Sequence, residues 1–145
     1  MEIIKKIWTC ILSFLLVAPS SVAQVQIAVV SDVHVMNPSL LKQDGKAFTD
    51  YISQDRKMLR ESTSLLNAFT DSILHSSVKY LLIPGDLTKD GELVSHRYLI
   101  DNCLSRLRNA GITVLVVPGN HDVNNPHAVE YQGDNKTRVA TISRS

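Results

Sequence analysis

Three short stretches carry side chains that can do chemistry together: Asp32 with His34 two positions on, Asp86 directly after Gly85, and Gly119-Asn120-His121-Asp122. Carboxylates, imidazoles and an amide oxygen form an N/O donor set that suits zinc, manganese or iron better than a thiolate-seeking metal. Each stretch follows an apolar run, at residues 25–30, 80–83 and 112–117. Short apolar, mostly β-branched runs that stop at polar or glycine-containing turns read as strands. In open α/β sheets, binding groups collect outside the carboxyl ends of the strands. The pattern therefore predicts three strands that unload metal ligands at one sheet edge. A backbone that stays extended through Asp32 and His34 would send both side chains to the same side, suited to one ion. Before Asp86, the glycine permits the sharp turn that carries a carboxylate into such a site.

The elements between these stretches must bring them together. Residues 25–30 are nearly continuous in apolar character, as in a strand covered on both faces. From residue 51 to 75, Met58, Ser62, Leu65, Leu66, Phe69, Ile73 and Leu74 recur at three- and four-residue steps. Asp55, Arg56, Lys57 and Glu61 fall largely between them, which predicts one amphipathic crossover helix. Arg56 then lies on a solvated helix face, with contact to a substrate phosphate as the alternative, and His75 reads as a helix-end cap. Leu93, Ile100, Cys103, Leu104 and Leu107 predict a second helix that ends at Gly111. His96 inside it reads as structural or exposed, and Cys103 as a small buried hydrophobe. Residues 35–49, with Asn37-Pro38 and Asp44-Gly45, read as an irregular connection or as a rim of the site. Asp90 with Gly91 reads as turn chemistry. Beyond Asp122 the pattern is weak. His127 reads as loop decoration, and Asn135-Lys136-Thr137 matches a glycosylation sequon. The outcome is an α/β chain of βαβαβ order with a parallel sheet.

The ordered set Asp32-x-His34, Gly85-Asp86 with Gly91 following, and Gly119-Asn120-His121-Asp122 resembles the calcineurin-like metallophosphoesterases. The resemblance runs from Gln26 to about Asp122. It implies the amino-terminal half of a four-layer α/β/β/α sandwich and hydrolysis of phosphomono- or diesters. Two divalent ions (Mn, Zn or Fe), about 3.5–4 Å apart, would activate a water and steady both oxygens of an in-line displacement. By resemblance, Asp32 and His34 are first-metal ligands, Asp86 is the bridging ligand and Asn120 is a second-metal ligand. His121 is the general acid for the leaving alkoxide, and Asp122 orients its imidazole. The family also draws on a later histidine and a Gly-His-x-His stretch that this chain does not contain. The sequence thus reads as a phosphoesterase domain over residues 24–145 that is incomplete at its carboxyl end and inactive alone. The alternative is a non-catalytic binding or scaffold protein that keeps the fold.

With 145 residues, 44% of them hydrophobic, the chain describes one globular domain at most. A net charge of +1 and no basic run exclude an electrostatic nucleic-acid footprint. Phosphoester substrates stay compatible with that neutrality, because bound cations supply local positive charge. Residues 1–23 read as a signal peptide: Lys5 and Lys6, an apolar stretch from 7 to 17, then Ser21 and Ala23 as the small-residue cleavage site. The apolar stretch is shorter than the ~20 residues that span a bilayer, so no stable membrane anchor is expected after cleavage. The expected location is periplasmic or secreted. Removal of the leader takes Cys10 away and leaves Cys103, so no internal disulfide is expected.

Overall fold

A computed structural model describes residues 24–143; the expected leader, its cleavage site and Cys10 lie outside the described residues. In chain order, β1 (Gln26–Val29) is followed by a 3-10 turn (Pro38–Leu40), β2 (Leu41–Gln43), α1 (Lys46–Ser53), α2 (Ser62–Leu74) and β3 (Val78–Pro84). Then come α3 (Leu93–Leu99), a π-helical turn (Ile100–Leu104), α4 (Ser105–Asn109), β4 (Thr113–Val117), β5 (Val129–Gln132) and β6 (Asn135–Arg138).

The main sheet has the order β1-β3-β4 and is parallel throughout, with Val29 beside Leu82 and Leu82 beside Leu115. All three strands therefore end at the same edge, as their sequence endings predict. Side chains alternate across each strand, so Leu81, Ile83 and Val114 point into a core that α2 and the α3–α4 helix close with Leu66, Ile73, Leu99, Cys103 and Leu107. The opposite face carries Ile27, Val29, Tyr80, Leu115 and Val117, each between 42% and 64% exposed. The strand at 25–30 is thus covered on one face, not two. No layer among the described residues covers that apolar face.

The expected helix over 51–75 is two helices, α1 and α2, with a break between Gln54 and Glu61. Asp55 explains the break locally: its side chain accepts the Lys57 N–H at 3.1 Å, offering the backbone an alternative to helix. Packing explains it globally. Leu59 is buried in a second core with Met36, Leu40, Ala47, Phe48 and Tyr131, whereas Leu66 and Ile73 belong to the first. One straight helix cannot serve both cores. Met58 and Leu65, placed in the buried stripe by spacing alone, are 61% and 51% exposed. Likewise the π turn inserts a step into the second helix, so Leu99 is buried and Ile100 faces solvent.

The second core belongs to a small sheet of order β2-β5-β6, built from segments that the sequence reads as irregular. Strand β2 pairs parallel with β5, and β5 returns antiparallel into β6 through Gly133 and Asp134. Phe48 and Tyr131 pack with ring centroids 5.0 Å apart. Among the described residues, no helix is long and apolar enough to cross a membrane.

Candidate metal centre

Beyond β1 the chain does not stay extended. Asp32 and His34 adopt left-handed backbone angles, with φ of 56° and 43°, and Asp86 does the same at 42°. A left-handed residue with a Cβ costs about 1–2 kcal/mol, so three such residues in one place need support from their surroundings. Backbone pairing supplies it: the His34 N–H donates to the Asp86 carbonyl at 3.0 Å and the Val35 N–H to the Leu87 carbonyl at 3.0 Å. The loop after β1 is thereby tied to the loop after β3. Asp32 and His34 do converge as their spacing predicts, but through two tight bends and not through an extended strand.

Donor atoms of Asp32, His34 and Asp86 all lie within 4.8 Å of one another. His34 Nε2 stands 3.9 Å from Asp32 Oδ1 and 3.9 Å from Asp86 Oδ2. These separations are too long for hydrogen bonds and shorter than twice a ligand bond of about 2.0–2.2 Å, so the three atoms can share one ion. The other ring nitrogen of His34 lies 3.3 Å from the Thr88 carbonyl. A carbonyl can only accept, so Nδ1 carries the proton and Nε2 presents its lone pair inward, the usual outer-shell arrangement of a ligating histidine. Burial above all, with the positive charge of Lys57, holds the His34 imidazole below its ordinary range against the opposing pull of Thr88 and Asp86. The neutral, ligating form is therefore favoured. Two carboxylates and a neutral imidazole fit one divalent cation of the zinc, manganese or iron kind.

Asn120 is exposed and lies between two residues whose backbones touch Asp86. The His121 N–H donates to Asp86 Oδ1 at 3.1 Å, and a Cβ on Gly119 would collide with the same oxygen and with the Asp86 backbone nitrogen. Glycine at 119 is what allows the loop after β4 to close onto Asp86. Asn120 stands in the loop that closes onto Asp86, exposed and between the two residues that touch it.

The His121 ring lies edge-on to His34 with centroids 5.1 Å apart. Its Nδ1 donates to the Lys89 carbonyl at 2.9 Å and to Asp90 Oδ1 at 3.1 Å, which leaves Nε2 free. The carboxylate that orients this imidazole is thus Asp90, not Asp122. Asp122 is fully buried and its oxygens are committed elsewhere: to the N–H of Leu87 at 2.9 and 3.0 Å, the N–H and hydroxyl of Thr88 at 2.9 and 3.0 Å, and the N–H of Gly119 at 2.7 Å. It clamps the loop after β3 to the loop after β4. The role assigned to it from the resemblance fails because adjacency in sequence sends neighbouring side chains in different directions.

Asp90 is more than a turn residue. It is 2% exposed, and its carboxylate also meets Lys89 Nζ, the Tyr51 hydroxyl at 3.2 Å and Asn125 Nδ2 at 3.3 Å. Lys89 is fully buried, with Glu92 Oε1 at 3.1 Å and the rings of Tyr51 and Tyr131 at 4.8 and 5.5 Å. Burial opposes its charge, yet Glu92 and Asp90 outweigh that and hold the ammonium above its ordinary range. The run Lys89-Asp90-Gly91-Glu92 contains the signal for this cluster, three charged residues around a glycine, but turns are usually charged and exposed, so spacing alone does not reveal it. Among the histidines, His96 Nε2 lies 2.9 Å from the Asp122 carbonyl and is structural, His127 is exposed on a loop, and His75 caps α2. Cys103 is buried, which pushes its thiol up.

Fold and site together define a metal-ligating α/β protein. Residues 25–143 match the family model described as calcineurin-like phosphoesterase, and the chain belongs to that family. A search of curated proteins returns no match. The family's chemistry is hydrolysis at phosphoester bonds, and divalent metals are its usual cofactors.

Proposed function

We propose that this protein is an exported metallophosphoesterase that hydrolyses phosphomono- or diesters with two divalent ions, manganese, zinc or iron. The observation that carries the proposal is the convergence of Asp32, His34 and Asp86 donor atoms within 4.8 Å, with His121 edge-on to His34. Asp32 and His34 would hold the first ion, Asp86 both, and Asn120 the second. Ions held there would supply charge stabilisation at the phosphoryl group and a nucleophile from water. His121 gives a proton from Nε2 to the leaving oxygen as the P–O ester bond breaks, while the attacking water's oxygen bonds to phosphorus and its proton passes to bulk water, from which His121 is later reprotonated. Asp90 and the Lys89 carbonyl hold the imidazole in the orientation that leaves Nε2 available. Export rests on the order of charged, apolar and small residues over 1–23.

Four side chains leave two metal shells short of donors, so the chain as given binds metal weakly and turns over slowly or not at all. The same shortage favours the second reading, a non-catalytic binding protein on this fold. Metal titration by calorimetry and hydrolysis of 4-nitrophenyl phosphate and an alkyl phosphate, each against Asp86→Ala, test both. Under the phosphoesterase reading Asp86→Ala abolishes metal binding and any turnover, and His121→Asn slows the alkyl ester more than the nitrophenyl ester. Metal binding with no turnover above the Asp86→Ala control on either ester supports the second reading.

A further inference from the structure

A cleft of about 560 Å³ opens directly beside the metal ligands, bounded by the loop that carries Asp32 and His34, by the break between α1 and α2, and by the first turns of α2. Its volume falls within the ~300–1,000 Å³ of small-molecule sites. Apolar side chains make most of its wall, and three of them, Met58, Leu65 and Phe69, come from the break and from one side of α2. Met58 and Leu65 are more than half exposed, although a continuous helix would have put both in the core. Two cations, Arg56 and Lys57, line the same cleft. Lys57 pairs with Asp55 at 3.3 Å, while Arg56 is exposed and has no ion-pair partner among the described residues.

The cleft thus joins an apolar wall to positive charge at the point where the ligands begin. A phosphate group brings negative charge to a place where Asp32 and Asp86 would repel it, and Arg56 and Lys57 offset that repulsion. Bare phosphate has no use for Met58, Leu65 and Phe69; an ester with a sizeable apolar group buries them.

We propose that this cleft is the leaving-group subsite, taking the apolar aryl or alkyl part of a phosphoester while Arg56 and Lys57 face its phosphoryl oxygens. The proposal rests on the phosphoesterase reading and adds its substrate class. Hydrophilic esters such as sugar phosphates would leave the wall wet and gain nothing from it.

Equilibrium dialysis of the full chain with manganese tests this with two probes that cannot be hydrolysed, 1-naphthylmethylphosphonate and methylphosphonate. The naphthyl probe is expected to bind at least about tenfold more tightly, from the apolar area that it removes from water. Leu65→Asp and, separately, Met58→Asp should bring the two probes to within about twofold of each other, because the added charge opposes both phosphonates alike while only the naphthyl probe loses its apolar wall. Both positions are exposed, so either variant should keep the fold. Arg56→Gln should weaken both probes by the same factor. Equal binding of the two probes to the unaltered chain, or a naphthyl preference that survives both Asp variants, overturns the subsite and leaves the phosphoesterase reading standing. Binding of neither probe overturns the subsite and leaves the phosphoesterase reading to the metal titration and hydrolysis assays.

Discussion

Removal of the Asp122 carboxylate tests what that residue does. Its two oxygens accept from three backbone N–H groups, those of Leu87, Thr88 and Gly119, and from the Thr88 hydroxyl, in a place that water does not reach. In Asp122→Ala the hydroxyl can rotate to another partner, but the three N–H groups cannot. A buried donor left without a partner costs about 1–3 kcal/mol, so three would cost about 3–9 kcal/mol if none found water. The vacated carboxylate volume admits a water that can satisfy some of them, which brings the expected loss to about 3–5 kcal/mol. Against a usual total stability of about 5–15 kcal/mol this is a large fraction. Urea unfolding of the metal-free chain, followed by far-UV circular dichroism, measures it without any need for turnover. Asp90→Asn is the companion, because it touches His121 directly. If Asp122→Ala left the urea midpoint unchanged while the His121 ring resonances moved, the clamp would be refuted and Asp122 would be the imidazole's partner after all.

The His34 imidazole, held below its ordinary range by burial and then by Lys57, makes the metal-free chain acid-sensitive. The unfolded chain takes up the proton first, so stability falls as pH drops through 6.5 and goes on falling until the folded-state imidazole is itself protonated. Thermal melts between pH 7.5 and 5 should show this slope, and His34→Gln should flatten it. Lys89→Met leaves Asp90 and Glu92 buried without their cation and should cost about 3–5 kcal/mol in urea unfolding, with part of it recovered by adding Glu92→Gln. Gly119→Ala pushes a methyl group into Asp86 and should lower manganese affinity about 10–100-fold by calorimetry, because the Asp86 carboxylate has to move.

The sequence by itself determined the parallel sheet and its ligand-bearing edge. Apolar runs that end in Asp32, Asp86 and Asn120 can be read one strand at a time, and each strand's ending depends only on local residues. It also determined that His75, His96 and Cys103 are structural, since their helical settings gave them ordinary places. Periodicity misled where two cores compete for one stretch: spacing put Met58 and Leu65 in a helix stripe, but Leu59 is drawn to the core around Tyr131 and breaks that helix. The hairpin from Val129 to Arg138 was not legible, because its residues are polar and weakly patterned, and its partner β2 is about ninety residues upstream in the chain with nothing local to mark the pair. Only the tertiary structure decided which carboxylate serves His121. Asp122 is its neighbour in sequence, while Asp90 reaches it from another loop, because left-handed bends at Asp32, His34 and Asp86 and the glycine at 119 fold three loop ends onto one point. Side-chain direction in such bends depends on backbone angles that residue types constrain weakly and that contacts between loops fix.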